Sequence, residues 1–116
     1  MAVNSDITSI AKTIRETVDS ERIYLFGSHA YGTPHSESDY DFYVVLPDDA
    51  IEPLEAMKLI YRELSKTRML VPVDVLAAHS SKFDRNSEML TLERKVAREG
   101  VLLYERDDLT TTFRSR

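Results

Sequence analysis

Phe26-Gly27-Ser28-His29-Ala30-Tyr31-Gly32-Thr33-Pro34-His35-Ser36-Glu37-Ser38-Asp39-Tyr40-Asp41-Phe42-Tyr43-Val44-Val45 is the stretch on which the reading of this chain turns. It holds a Gly-Ser turn, a spacer, and then Asp-x-Asp leading an apolar run. Phe42 to Leu46 is aromatic and β-branched and ends at Pro47, which predicts a buried strand. Asp39 and Asp41 open that strand. Alternate residues of a strand share a face, about 6.6 Å apart between Cα atoms, so the two carboxylates converge on one side of the sheet and repel each other. Like charges held that close either raise a pKa or require a cation, and an oxygen-only ligand set suits Mg²⁺ or Mn²⁺ rather than zinc.

Upstream, Arg22-Ile23-Tyr24-Leu25-Phe26 reads as a second short strand that stops at Gly27. Ser28 to Tyr31 could make one helical turn before Gly32 and Pro34 end it, which would put Gly27 and Ser28 at a helix N-terminus. Free backbone N–H groups, a glycine that admits close approach and a serine hydroxyl together make a phosphate site. The spacing from Gly27 to Gly32 is superficially that of a Walker A loop. Thr33 and Pro34 stand where that motif needs Lys and Ser/Thr, so the P-loop reading is rejected.

Gly-Ser, a spacer of ten residues and Asp-x-Asp inside an apolar strand closely resembles the signature of the polymerase-beta-type nucleotidyltransferase superfamily, and in size the chain looks like its minimal, MNT-type members. The resemblance covers roughly residues 7 to 105, with its specific part at Gly27 to Val45. Such families carry a third carboxylate on a neighbouring strand, and by resemblance Asp74, within Val71-Pro72-Val73-Asp74-Val75-Leu76, completes the triad. An aspartate within an otherwise apolar strand costs several kcal/mol to desolvate unless something compensates it. The ordinary alternatives, a turn at Gly-Ser or a cap at one aspartate, account for each piece alone but not for all three in order.

Other polar residues carry less. His29, His35 and His79 show no helical ligand spacing. His35 and His79 read as solvent-facing loop histidines, and His29 as a neighbour of the phosphate site. Tyr40 lies between the two aspartates and must face the other side of the sheet, toward a core. Lys66, Arg68, Lys82 and Arg85 flank the strand at 71–77 and could hold a triphosphate, although solvated surface charge is the default for such residues.

The pattern along the chain alternates helices and strands. Ile7, Ile10, Ala11, Ile14 and Val18 recur at three and four, which predicts an amphipathic helix from Asp6 to Asp19 capped by Ser5. Strands at 22–26 and 40–46 follow. Pro53 suits the first turn of a second helix, with Leu54, Met57, Ile60, Tyr61 and Leu64 on one apolar face up to about Lys66. After the strand at 71–77, Met89, Leu92, Val96 and a C′-type Gly100 predict a third helix from Ser87 to Glu99, and Val101 to Tyr104 a short last strand. The fold class is therefore α/β (α+β), a small mixed sheet flanked by helices with the nucleotidyltransferase fold. The expected division is one domain over residues 1–105 and a flexible tail over 106–116.

At 116 residues, 42% hydrophobic and 30% charged, the chain can bury one modest core. The start, Met1-Ala2-Val3-Asn4-Ser5-Asp6, has neither the basic residues nor the apolar block of a signal peptide. No apolar run approaches the roughly 18 residues that span a bilayer. With no cysteine there is no disulfide framework, and a cytoplasmic protein without membrane association is expected. A net charge of −5 argues against nucleic acid as acceptor, because polymer binding wants a basic face, but it leaves a nucleoside triphosphate acceptable with divalent metal.

The resemblance implies transfer of a nucleoside monophosphate, AMP from ATP, to a hydroxyl acceptor with two Mg²⁺ ions. Asp39 and Asp41 would hold both ions, Asp74 would hold one and help deprotonate the acceptor, and Gly27 and Ser28 would orient the phosphates. Larger relatives add a second domain over the nucleotide, so the site here should be open on one side, to a macromolecular acceptor, a partner chain or a second copy in a homo-oligomer. MNT-type proteins are often paired with a helical HEPN-domain protein as the antitoxin of a toxin–antitoxin system, with a tyrosine of the partner adenylylated. The alternatives are a small-molecule, antibiotic-type nucleotidyltransferase and a non-catalytic antitoxin that acts by contact alone.

Overall fold

The structure of the protein is a computed structural model that describes residues 5–27, 30, 39–67 and 72–106. In chain order its elements are α1 (Ser5–Thr17), β1 (Arg22–Phe26), β2 (Tyr40–Leu46), α2 (Pro53–Leu64), β3 (Val73–His79), α3 (Ser80–Asn86), α4 (Leu92–Glu99) and β4 (Val101–Glu105). The four strands make one sheet in the order β3-β2-β1-β4. β1 lies antiparallel to β2 and to β4, and β2 lies parallel to β3. The sheet is mixed and helices lie on both faces, as the α/β reading expects.

Strand alternation divides the core into two clusters. Ile23 and Leu25 of β1, Tyr40, Phe42, Val44 and Leu46 of β2, and Val75 of β3 face one way, against Ile7, Ile10 and Ile14 of α1 and Ala56 and Ile60 of α2. Tyr24, Tyr43, Val45 and Ala78 face the other way, against Phe83 of α3 and Val96 of α4. Residues 42 to 46 of β2 are thus buried on both sides, which is why this strand reads as an unbroken apolar run. The parallel pairing of β2 with β3 requires a crossover, and α2 supplies it on the first face.

Some boundaries differ from the sequence expectations. Ser5 lies inside α1 rather than capping it, and α1 ends at Thr17 rather than Asp19. Thr13 and Thr17 turn their hydroxyls back onto the carbonyls of Ser9 and Thr13, at 3.1 and 2.6 Å, a bonding mode that competes with the helix ladder. Of the helix expected over 87–99 only α4 forms, after a turn at 87–91, and α3 before it is a helix the sequence reading did not expect. Phe83, fully buried, anchors α3, and the Thr91 hydroxyl caps α4 by accepting from the Arg94 N–H at 3.2 Å while donating to the Asn86 carbonyl at 2.6 Å. Met89 and Leu92, read as core positions, are 51% and 43% exposed, and Val96 alone of that trio is buried. On α2, Leu54 and Tyr61 are likewise exposed, and Ala56 and Ile60 carry the contact.

Gly100 does stop α4, but in an extended conformation (φ −70°, ψ 160°) rather than a left-handed one. Its lack of a side chain serves close approach: a Cβ there would meet the Val96 carbonyl oxygen at 2.6 Å and that of Leu25 at 3.1 Å. The strand expected at 71–77 is found at Val73–His79, with Val71 outside the described residues. His79 closes that strand instead of lying in a loop, and its Nε2 is 3.0 Å from the Ile51 carbonyl. Arg106, placed at the head of a frayed tail, is tied down: its N–H donates to the Glu21 carbonyl at 2.8 Å and its guanidinium meets Asp19 at 3.4 Å. Residues 107–116 lie outside the described residues. No helix among the described residues is long and apolar enough to cross a membrane.

Candidate active site

Three strand ends meet at one corner of the sheet. β1 finishes there with Phe26 and Gly27, and β2 and β3 begin there. Register places Phe26 opposite Asp41 on one side and Asp74 opposite Asp41 on the other. The N–H of Tyr40 donates to the Pro72 carbonyl at 3.0 Å, fixing the start of the parallel pair at the position of the acids. Asp41 and Asp74 therefore stand side by side on the second face of the sheet, and Asp39, two residues before Asp41, has the same parity. Tyr40 between them points into the first core and is 5% exposed, as its position predicts.

The carboxylates interact. Asp39 is exposed ahead of β2, Asp41 is half-buried, and Asp74 is exposed within β3. The Asp74 carboxyl is pushed above its usual 3.8 by partial desolvation first, then by the charge of Asp39 and by a hydrogen bond between the two side chains. The sequence brought Asp39 and Asp41 together by strand parity, and the structure brings Asp74 to both of them by parallel register.

Gly27 holds a second relation to the acids. Its backbone is left-handed, at φ +79°, and its carbonyl accepts from the Ala30 N–H at 3.0 Å. A Cβ at this position would fall on Asp41 Oδ2 and within 3.1 Å of Asp41 Cγ. The missing side chain is thus the space in which the Asp41 carboxylate sits. Sequence reasoning assigned Gly27 to the approach of a phosphate, and its contact with Asp41 was not foreseen. Ser28, His29, Tyr31 and His35 lie outside the described residues, as does most of the helical turn expected at 28–31.

Below the acids on the same face, Tyr43 donates its hydroxyl to Glu93 Oε2 of α4 at 2.8 Å and packs against Phe83 (ring centroids 5.1 Å) and, edge-on, against Phe26 (6.4 Å). Burial, then the Glu93 hydrogen bond and charge, drive the Tyr43 phenol well above its usual range, so it stays a proton donor. This clamp joins α4 to the strand that carries the acids. Tyr61 of α2, assigned to an apolar face, places its hydroxyl on the backbone of β3 at Val75, next to Asp74. Only its position on a crossover helix, which must pass an edge strand, could have signalled that.

Among the described residues, none of the cations that could hold a triphosphate is paired with an acid of the corner. Lys66 pairs with Glu63 at 3.0 Å, Lys82 and Arg85 lie exposed on α3, and Arg68 is outside the described residues. The donor set at the corner is carboxylate oxygen throughout, the chemistry of Mg²⁺ or Mn²⁺. Among the described residues no group of three acidic, histidine or cysteine side chains is drawn together tightly enough to hold an ion unaided. Mg²⁺ ordinarily takes one or two carboxylates and fills its remaining positions with water and substrate phosphates, a demand the corner can meet.

No curated protein matches the chain. Solved structures do. A toxin–antitoxin pair, MntA–HpeT, in a variant with two Asp-to-Glu exchanges, matches with a TM-score of 0.57 at 21% identity, over 91% of this chain and 77% of that one. A Sulfolobus solfataricus protein described as a nucleotidyltransferase matches with a TM-score of 0.58 at 22% identity, over 85% of this chain and 77% of that one. A toxin–antitoxin structure with AMP-PNP gives a TM-score of 0.52 at 22% identity, over 91% and 77%. At these identities the likeness establishes the fold. The family described as polymerase beta, nucleotidyltransferase, matches residues 8–109, and so takes in the whole sheet and every acid of the corner. The chain belongs to the polymerase beta nucleotidyltransferase family.

Proposed function

We propose that the protein transfers AMP from ATP to a hydroxyl group on a partner protein, in a metal-dependent reaction centred on Asp39, Asp41 and Asp74. The observation that carries this reading is the meeting of three carboxylates at one corner of the sheet, two of them in register across a parallel pair and the third hydrogen-bonded to one of these. Carboxylates crowded in this way repel one another, and a divalent cation relieves the repulsion.

In this reading Asp39 and Asp41 would hold two Mg²⁺ ions, and Asp74 would be a further ligand to one of them. Bound there, the ions would supply charge stabilisation for the entering and the leaving oxygen of an in-line displacement. Asp74, in register with Asp41 and beside Asp39, accepts the proton of the acceptor hydroxyl. The acceptor oxygen then forms its bond to the α-phosphorus as the bond to pyrophosphate breaks. Gly27, with Ser28 beside it, orients the β- and γ-phosphates through backbone and hydroxyl hydrogen bonds, a positioning role. No side chain is needed as a nucleophile.

The neighbours support a toxin as the partner, and the family resemblance adds the HEPN class. MntA–HpeT is a toxin–antitoxin pair, and another structure of that kind holds AMP-PNP, an ATP analogue. By extension this chain serves as the antitoxin of such a pair, with a HEPN-domain toxin as its acceptor. The test is incubation with α-labelled ATP and Mg²⁺, alone and with a co-expressed HEPN-domain candidate, resolved on a denaturing gel. Label on the partner that is lost with Asp39→Asn is the expected result. Nucleotide binding without any labelled protein would sink the protein-acceptor reading and leave small hydroxyl acceptors to be screened.

A further inference from the structure

We propose that Tyr61 is a positioning residue for Asp74, acting through the backbone of β3. The inference rests on the reading of Asp74 as a ligand and base, and its geometry stands apart from that reading. β3 is an edge strand, so one side of its backbone pairs with β2 while the other side faces outward. At Val75 the outward groups meet the Tyr61 hydroxyl. The Val75 N–H donates to it at 2.7 Å, and the hydroxyl lies 3.5 Å from the Val75 carbonyl oxygen, in position to donate. One hydroxyl thus serves both groups that a further strand would have engaged.

The peptide unit it grips joins Asp74 to Val75. On the inner side that stretch is held by the Asp41–Asp74 register and by the Tyr40 N–H on the Pro72 carbonyl at 3.0 Å. Asp74 is only the second residue of β3, where an edge strand is loosest, and Tyr61 supplies the outer restraint at that point. Packing does not account for the residue, because Tyr61 is 42% exposed and a phenylalanine would cover the same surface. Nor does it reach the chemistry. Its helix covers the first face of the sheet, whereas Asp74 has the parity of the second. Groups that orient a ligand from behind set its affinity for metal, so the restraint should be visible in cation binding.

The experiment uses the full chain with AMP-PNP and Mn²⁺, the free Mn²⁺ being read by electron paramagnetic resonance, and with backbone amide exchange at Val75 measured in parallel. Tyr61→Phe should speed exchange at Val75 and raise the Mn²⁺ Kd by about twofold to tenfold, the fold-change of one net hydrogen bond. Asp74→Asn should raise the Kd at least as much, and adding Tyr61→Phe to it should change nothing further. Faster exchange at Val75 with an unchanged Kd would make the hydroxyl purely structural and overturn the proposal alone. So would equal weakening of Mn²⁺ binding by Tyr61→Phe in both backgrounds, which would signal general loosening. An Mn²⁺ Kd untouched by Asp74→Asn would instead bring down the reading of the corner, and this proposal with it.

Discussion

Replacing Gly27 with alanine should damage the fold and the acid corner together, by amounts that can be separated. The backbone there is left-handed, at φ +79°, which costs an L-residue about 1–2 kcal/mol. The new Cβ would also occupy the place of Asp41 Oδ2 and stand within 3.1 Å of Asp41 Cγ, so the carboxylate must leave its rotamer, at about 0.5–1.5 kcal/mol. Against these, alanine lowers the entropy of the unfolded chain and returns about 0.4–1 kcal/mol. A net loss of about 1–2 kcal/mol is expected, read as a lower urea midpoint with unchanged m-value. In an Asp41→Ala background the rotamer cost disappears, and Gly27→Ala should then cost about 1 kcal/mol less than in the wild type. Equal costs in the two backgrounds would refute the idea that Gly27 is the seat of the Asp41 carboxylate, and a gain in stability would refute the strain as well.

Two further outcomes are expected of the acids. Asp39→Asn should abolish AMP transfer yet leave the metal-free protein as stable as before or more so, because it removes the charge that helps raise Asp74; a clear fall in melting temperature without metal would make Asp39 structural. The second concerns pH. The folded-state pKa of Asp74 lies above its unfolded value near 3.8, so the folded protein binds more protons there. This contribution to metal-free stability should therefore be greatest below that value and be lost as pH rises through the raised pKa. Urea midpoints measured across that acid range, compared between wild type and Asp74→Asn, should diverge in this sense, and parallel curves would show that the carboxyl carries no such shift.

Much of this architecture could be read from the residues because local chemistry and tertiary context agree. β2 is buried on both sides and announces itself as Phe42 to Leu46, and the strand at Arg22–Phe26 ends at a glycine that the structure also needs. From Ser80 to Glu99 the sequence points to one helix, at 87–99, and leaves α3 unread, because Phe83 is its one buried residue and makes no periodic stripe. Met89 and Leu92 fit a helical stripe on paper, whereas Phe83 and the Thr91 cap decide the real division. At the corner, Asp39 and Asp41 follow from strand parity alone. Asp74 needs the parallel register of β2 with β3, a long-range pairing that no local pattern encodes, and only the family resemblance brought it forward. The grip of Tyr61 on Val75 and of Tyr43 on Glu93 was hidden for the same reason, since an aromatic in an apolar stripe looks the same whether or not its hydroxyl has work to do.

β2 is the strand with an antiparallel neighbour on one side and a parallel one on the other, and this has a consequence for the order in which the molecule comes together. The β1–β2 pairing closes residues 27–39, whereas the β2–β3 pairing closes the longer stretch 47–72, which contains α2. Closing the longer loop costs more entropy and is the slower event. Gly27 can meet Asp41 as soon as the first pair zips, but Asp74 arrives only with the second. A partly assembled chain would carry two of the three acids and lack the third. Peeling of the β3 edge from an otherwise intact sheet would have the same effect, so the acid constellation can be dismantled at less cost than global unfolding.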